Sequence, residues 1–304
     1  MERFYPEGYI KDRSESEYYL KTPERLAEAA AKGLILEARA AVCSKEHDLY
    51  VELPFCRAVI PREEGALGIS DGSVRDIAIL SRVGKPVCFV PLSVGAGGAH
   101  AVLSRRAAQQ RCTQEYLSLL SAGDIIDACV THLEPFGAFA DIGCGICSLI
   151  PIDAISVSRI AHPADRFYNG MPIKAVVKGR EGGRICLSHK ELLGTWEQNA
   201  ERFTQGETVS GIIRSVESYG VFIELAPNLA GLAEPFEGAK AGMSASVYIK
   251  AIIPEKMKIK LIVVDVFDSP AGTPEIEYFT RSGRLGRWDY SVKGSQKEIY
   301  TQFA

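Results

Sequence analysis

Two stretches constrain this chain more than any other: Pro135-Phe136-Gly137-Ala138-Phe139-Ala140-Asp141-Ile142 and Ser218-Tyr219-Gly220-Val221-Phe222-Ile223-Glu224-Leu225. Successive side chains of a strand face opposite ways. With Ala138, Ala140 and Ile142 turned inward, Phe139 faces solvent beside Asp141. The second stretch alternates more cleanly, with Val221, Ile223 and Leu225 in and Phe222 and Glu224 out. A weaker copy at His47-Asp48-Leu49-Tyr50-Val51-Glu52-Leu53 gives Tyr50 the outward aromatic position. One exposed ring means little, because apolar side chains are common on surfaces. Three in equivalent places, each with a nearby acid, describe a surface on which flat groups can stack.

The rest of the chain repeats around these strands. A glycine followed by an apolar run opens each copy, at Gly33, Gly123 and Gly206. After the aromatic strand come short third strands at Ala58-Val59-Ile60, Ser148-Leu149-Ile150 and Gly231-Leu232-Ala233. Glycines at 84, 170 and 242 then open a fourth strand in each copy. Fifth strands follow at Ala101–Arg106, Ile185–Lys190 and Ile259–Val263. Five short strands, with a longer irregular segment between the third and fourth, is the order of an OB-type Greek-key barrel. The fold class expected is therefore mainly β, with tandem five-stranded barrels joined by short helices.

The boundaries that follow are a leader at 1–32, barrels at 33–106, 122–190 and 205–268, connecting helices at 107–121 and 191–204, and a tail at 269–304. In the leader, Thr22 is an N-cap candidate, Pro23 suits the first helical turn and Gly33 ends the helix. In the tail, Ile276 to Tyr290 reads as a hairpin turning at Ser282-Gly283, its arginines interleaved with Trp288 and Tyr290; it packs on the third barrel with the arginines solvated, or else makes an RNA or protein contact.

Composition closes several routes. A net charge of −3 argues against coating nucleic acid by bulk positive charge, so any such contact must be local. No apolar run approaches the roughly 20 residues that span a bilayer, and the start has no signal-like pattern, so a cytoplasmic protein without membrane attachment is expected. The eight cysteines then read as small buried hydrophobes, Cys88, Cys129 and Cys186 among them. Cys144-Gly145-Ile146-Cys147 has CxxC spacing, but no second ligand pair accompanies it; a glycine-rich hairpin between two strands explains it better than a zinc or redox site. No phosphate loop or nucleophile elbow stands in its required context, and His132, His162 and His189 are isolated. No catalytic step, cofactor or metal is expected.

On these residues the second copy, with Gly123, Phe136, Phe139, Ser148 to Pro151, Gly170 and Arg184 to Ser188, resembles the S1 motif, the RNA-binding OB domain of a bacterial ribosomal protein family. The third copy resembles it in its front half, the first only in spacing and alternation. The resemblance implies a face of two aromatics from the second strand, a histidine from the third and a basic residue opening the fifth. Phe136, Phe139 and Arg184 match in the second copy; Tyr219, Phe222 and Lys258 match in the third. In the first, Tyr50 matches, flanked by His47 and His100. The histidine position holds Pro151 and Glu234, a departure from the family.

Lys178 and Arg180, and in the third copy Lys250 and Lys256, fall near the same edge and suit phosphate contacts. The expected partner is single-stranded RNA, mRNA in or beside translation, bound by a monomer that also meets the small ribosomal subunit. The rival expectation is a protein adaptor using barrel faces without strong RNA binding, for which the degenerate first copy is best suited.

Overall fold

The computed structural model describes residues 4–9, 13–270 and 275–303. The chain divides into two compact units: Met1–Leu120 with Asp141–Cys147, and Ser121–Ala140 with Ser148–Ala304.

In the first unit a short helix α1 (Arg13–Tyr19) precedes α2 (Pro23–Lys32). The leader helix is built as its sequence suggests: the Thr22 side chain accepts a hydrogen bond from the Arg25 amide, and Gly33 closes the helix in the left-handed region at φ 64°. Leu26 and Ala29 are its buried face. Five strands follow: β1 (Leu36–Cys43), β2 (Leu49–Glu52), β3 (Arg57–Ile60), β4 (Pro86–Val94) and β5 (Ala101–Ser104). They close in the order β1-β2-β3-β5-β4, with β3 parallel to β5, around Leu36, Leu49, Val51, Ile60, Phe89 and Leu103. The single turn α3 (Ile77–Leu80) lies in the segment between β3 and β4, and α4 (Arg105–Glu115) follows β5, with Ser104 as its N-cap.

The second and third barrels repeat the design. β6 (Ile125–Glu134), β7 (Gly137–Asp141), β8 (Cys147–Pro151), β9 (Pro172–Glu181) and β10 (Arg184–Ser188) close as β10-β8-β7-β6-β9. After the five-residue helix α5 (Trp196–Ala200) come β11 (Thr208–Glu217), β12 (Gly220–Ala226), β13 (Leu229–Ala233), β14 (Met243–Ile253) and β15 (Lys258–Pro270), closed as β11-β12-β13-β15-β14. The three closed five-stranded barrels are the OB-type architecture expected from the repeat. Their interiors are the inward positions of the alternation: Ala138, Ala140 and Ile150 in the second, Val221, Ile223 and Ile213 in the third.

The tail departs from its sequence reading. Ser282-Gly283 does not turn a hairpin; Arg284 bridges to Asp124, and the paired strands are β16 (Arg287–Asp289) and β17 (Tyr300–Gln302). The reason is packing at Gly123, where a Cβ would stand 1.9 Å from the Leu285 carbonyl oxygen, so the tail runs hard against the second barrel instead of folding on itself. Trp288, Tyr290 and Phe303 are buried in one core cluster with Ile213, Val221 and Ile223 of the third barrel and Ile125 and Val176 of the second. The arginines stay outside: Arg284 pairs with Asp124 at 2.7 Å and Arg287 with Asp289 at 2.6 Å.

Among the described residues no helix is long and apolar enough to cross a membrane, and no group of three or more histidine, cysteine or acidic side chains is arranged to hold a metal ion. The CxxC segment is a turn: the Asp141 carboxylate accepts from the amides of Gly143 and Gly145, Cys144 is buried and Cys147 is exposed. Cys43, Cys56 and Cys186 also correct the reading of the cysteines as buried, since each is only partly covered, Cys186 on the outer side of β10.

Candidate nucleic-acid interface

Phe139 and Phe222 lie half-buried on the side the alternation assigns them, whereas Phe136, 56% exposed, and Tyr219, 65% exposed, share the parity of the inward Ala138 and Val221 and are exposed because each stands in the turn before its strand. Within each pair the rings meet edge to face, Phe136 and Phe139 at 6.1 Å and 90°, Tyr219 and Phe222 at 6.2 Å and 89°. The glycine between the rings is dictated by crowding: a Cβ on Gly137 would stand 2.4 Å from the Ile150 carbonyl oxygen, and one on Gly220 2.4 Å from that of Ala233. The neighbouring strand approaches so closely there that only glycine fits, and the two rings are thereby held on one ridge.

The acids beside these rings are a correction. Asp141 is 2% and Glu224 3% exposed, not solvent-facing. In the first unit Asp141 accepts the Glu7 and Gly143 amides; burial, then the nearby Glu7 charge, pushes its carboxyl up to about 7. Glu7 itself is buried, which opposes its charge, but Arg105 at 2.7 Å and Arg82 at 3.2 Å outweigh burial and hold it below the usual range. Glu224 is gripped by Arg214 at 2.9 Å and by Arg166, which is itself fully buried. Period-two alternation locates a side chain outside the barrel but is blind to what then covers it.

Register shows how each ring lines up with charge. In the third barrel Phe222 lies opposite Leu232, Leu232 opposite Lys260 and Lys260 opposite Ala251, with Lys250 the extra residue of a bulge on β14. Tyr219, Phe222, Leu232, Lys250, Lys258 and Lys260 line one groove of about 520 Å³. In the second barrel Leu149 lies opposite Cys186 and Cys186 opposite Gly179, with Lys178 the bulged residue and Arg184 two positions before Cys186. Lys178, Arg180 and Arg184 are all exposed, Arg180 on the β9–β10 hairpin opposite Ile185. In the first, Tyr50 faces Val59, Val59 faces Val102 and Val102 faces Ser93, with Leu92 in the bulge. The Arg57 guanidinium covers the Tyr50 ring at 4.8 Å, and His47 is turned to Asp76 at 3.3 Å.

Two members of these faces escaped the sequence reading. Lys260 shares the outward side of β15 with Lys258, a signal present in their spacing of two. His132 stands beside Phe139, its ring 6.5 Å away and inclined by 27°. The other histidines serve structure: His162 caps a helical turn, and His189 is buried between the Ile155 carbonyl and the Tyr278 hydroxyl. Burial pushes the His189 imidazole down to about 4.

With this geometry in view, the similarity to known proteins is specific. Residues 120–190, the second barrel with its rings and bulged lysine, match the model of the S1 RNA binding domain. That stretch of the chain carries the S1 RNA binding domain.

Among curated relatives, it is 30% identical over 197 residues to the small ribosomal subunit protein bS1 of Leuconostoc lactis, covering 59% of this chain and 46% of that protein. It is 29% identical over 210 residues to the bS1 homolog of Bacillus subtilis, covering 63% and 55%. The bS1 of Staphylococcus aureus strain COL is 29% identical over 180 residues, covering 53% and 46%. The chain thus spans about half the length of the curated relatives it matches.

Proposed function

We propose that this chain binds single-stranded RNA through the outward faces of its second and third barrels, without a catalytic step. The observation that carries the reading is the coincidence, in both barrels, of an edge-to-face ring pair with a bulged lysine and a cation opening the fifth strand. Exposed rings accept bases at about 1 to 3 kcal/mol each with little regard to sequence. Lys178, Arg180 and Arg184 in one barrel, and Lys250, Lys258 and Lys260 in the other, supply phosphate contacts, each steepening the fall of log affinity with log salt by about 0.7. Two such faces on one chain make the second contact intramolecular, which raises avidity without adding specificity. The names of its relatives as small ribosomal subunit proteins support the small subunit as the place of work, and mRNA is the strand we propose it holds there. RNA crosslinking in cells tests this: contacts should map to the second and third barrels and to mRNA, and contacts confined to the first barrel would refute it.

A second reading, a protein-docking role, is favoured for the first barrel alone. Its row of Tyr50, Val59, Val102 and Leu92 is uncharged and its ring is occupied by Arg57.

A further inference from the structure

Position 132 distinguishes the second barrel from its neighbours. In the third barrel the residue opposite Phe222 is Ser215, and in the first the residue opposite Tyr50 is Val42. In the second barrel the imidazole of His132 lies near-parallel to Phe139, 27° apart at 6.5 Å, while Phe136 stands perpendicular to Phe139 at 6.1 Å. His132 is 60% exposed, so its free face meets solvent. Its Nε2 is 2.7 Å from the Glu134 carboxylate, two residues along the same strand. That bond fixes the ring's orientation and puts a negative charge at its edge. A phosphate is repelled by that charge, whereas a base, which presents a flat uncharged face, is not.

We propose that His132 is a third base-stacking residue of the second barrel, lengthening its platform from two rings to three and giving it an additional nucleotide of footprint that the third barrel lacks. The inference rests on the RNA-binding reading above and deepens it: with three cations on each face, the second barrel differs from the third by one more stacked base. His132 acts by direct contact with RNA, and Glu134 is the positioning residue that aims it.

The test uses the full chain with Tyr219→Ala and Phe222→Ala, so that ring contacts come from the second barrel, and a fluorescein-labelled 12-nucleotide oligouridine read by anisotropy across a salt series. His132→Ala should weaken binding about fivefold or more, the lower end of one lost stack, and leave the salt slope unchanged. His132→Phe should restore affinity to within about twofold. Unchanged affinity in His132→Ala would overturn the inference. So would weaker binding with a shallower salt slope that His132→Phe does not rescue, since His132 would then be a phosphate contact. Phe139→Ala in the same background separates this from the reading beneath it. If that change lowers affinity while His132→Ala does not, only the third ring is lost; if neither does, both readings fall.

Discussion

The first and third barrels share strand order, register and even the position of the β4-type bulge, yet present opposite chemistry outward. Across the first runs Tyr50, Val59 and Val102 with Leu92 in the bulge; across the third runs Phe222, Leu232 and Lys260 with Lys250 in the bulge. The second falls between, with Leu149, Cys186 and Lys178. Because the interior positions that close a barrel alternate with these outward ones, the two sets vary independently. One scaffold thus carries a neutral face, a ring-rich face and a lysine-rich face in a single chain. What the difference teaches is that the barrel sets where a ligand would lie and the outward row sets which ligand.

The acid two residues after each outward ring gives the largest contrast. Glu224 is buried between Arg166 and Arg214, while its counterpart Glu52 is solvent-exposed against Arg57 at 2.9 Å. Glu224→Gln leaves two guanidinium groups without their shared partner and should cost the second unit about 3 to 5 kcal/mol. Glu52→Gln should change stability by no more than about 0.5 kcal/mol. Urea unfolding of the two variants checks both values, and equal losses would break the contrast.

Next in size is the electrostatic share of the third face. Replacing Lys250, Lys258 and Lys260 together by Ala should reduce the salt slope of RNA binding by about 2, at about 0.7 per phosphate contact. The reciprocal experiment is smaller: Leu92→Lys with Val102→Lys writes part of the third row onto the first barrel. It should steepen the slope by about 1.4. No gain there would mean that the Arg57-covered ring of Tyr50 closes the first face to bases whatever its charge.

The smallest expected effect is on stability against pH, and it has opposite signs in the two units. Asp141 holds its proton to about 7 in the folded chain but only to about 4 when unfolded. The folded state therefore binds more protons in that window, and the Asp141 contribution is lost as pH rises through it. His189 behaves oppositely, staying neutral down to about 4 while its unfolded counterpart takes a proton near 6.5. Its contribution is present above about 6.5 and is lost as pH falls toward 4. Melting curves at pH 5 and pH 8 should show Asp141→Asn losing less stability than the parent at the higher pH. Identical pH responses in the two proteins would contradict the assignment.

The barrels and their rings were legible in the sequence because period-two alternation and a repeated glycine report directly on strand faces. The glycine between the rings, at 137 and 220, was visible as a motif, and its cause, a facing carbonyl at 2.4 Å, came only with three dimensions. The fate of the acids was not legible: Asp141 is covered by Glu7 and Arg105 and Glu224 by Arg166, residues distant in sequence, with Arg214 adding its grip on Glu224 from the neighbouring strand. The same holds for the tail, where the approach of Leu285 to Gly123 overrides a local turn signal at Ser282-Gly283. His132 was hidden for a subtler reason, since its role depends on a cross-strand neighbour and a lone histidine carries no such information.

The most direct test of the central claim removes one ring from each charged face. Phe139→Ala with Phe222→Ala, in the full chain, should lower affinity for a single-stranded oligonucleotide at least about 30-fold, the loss of two base stacks, while the salt slope stays close to that of the parent. An unchanged dissociation constant would contradict the stacking account and leave the barrel faces to protein partners.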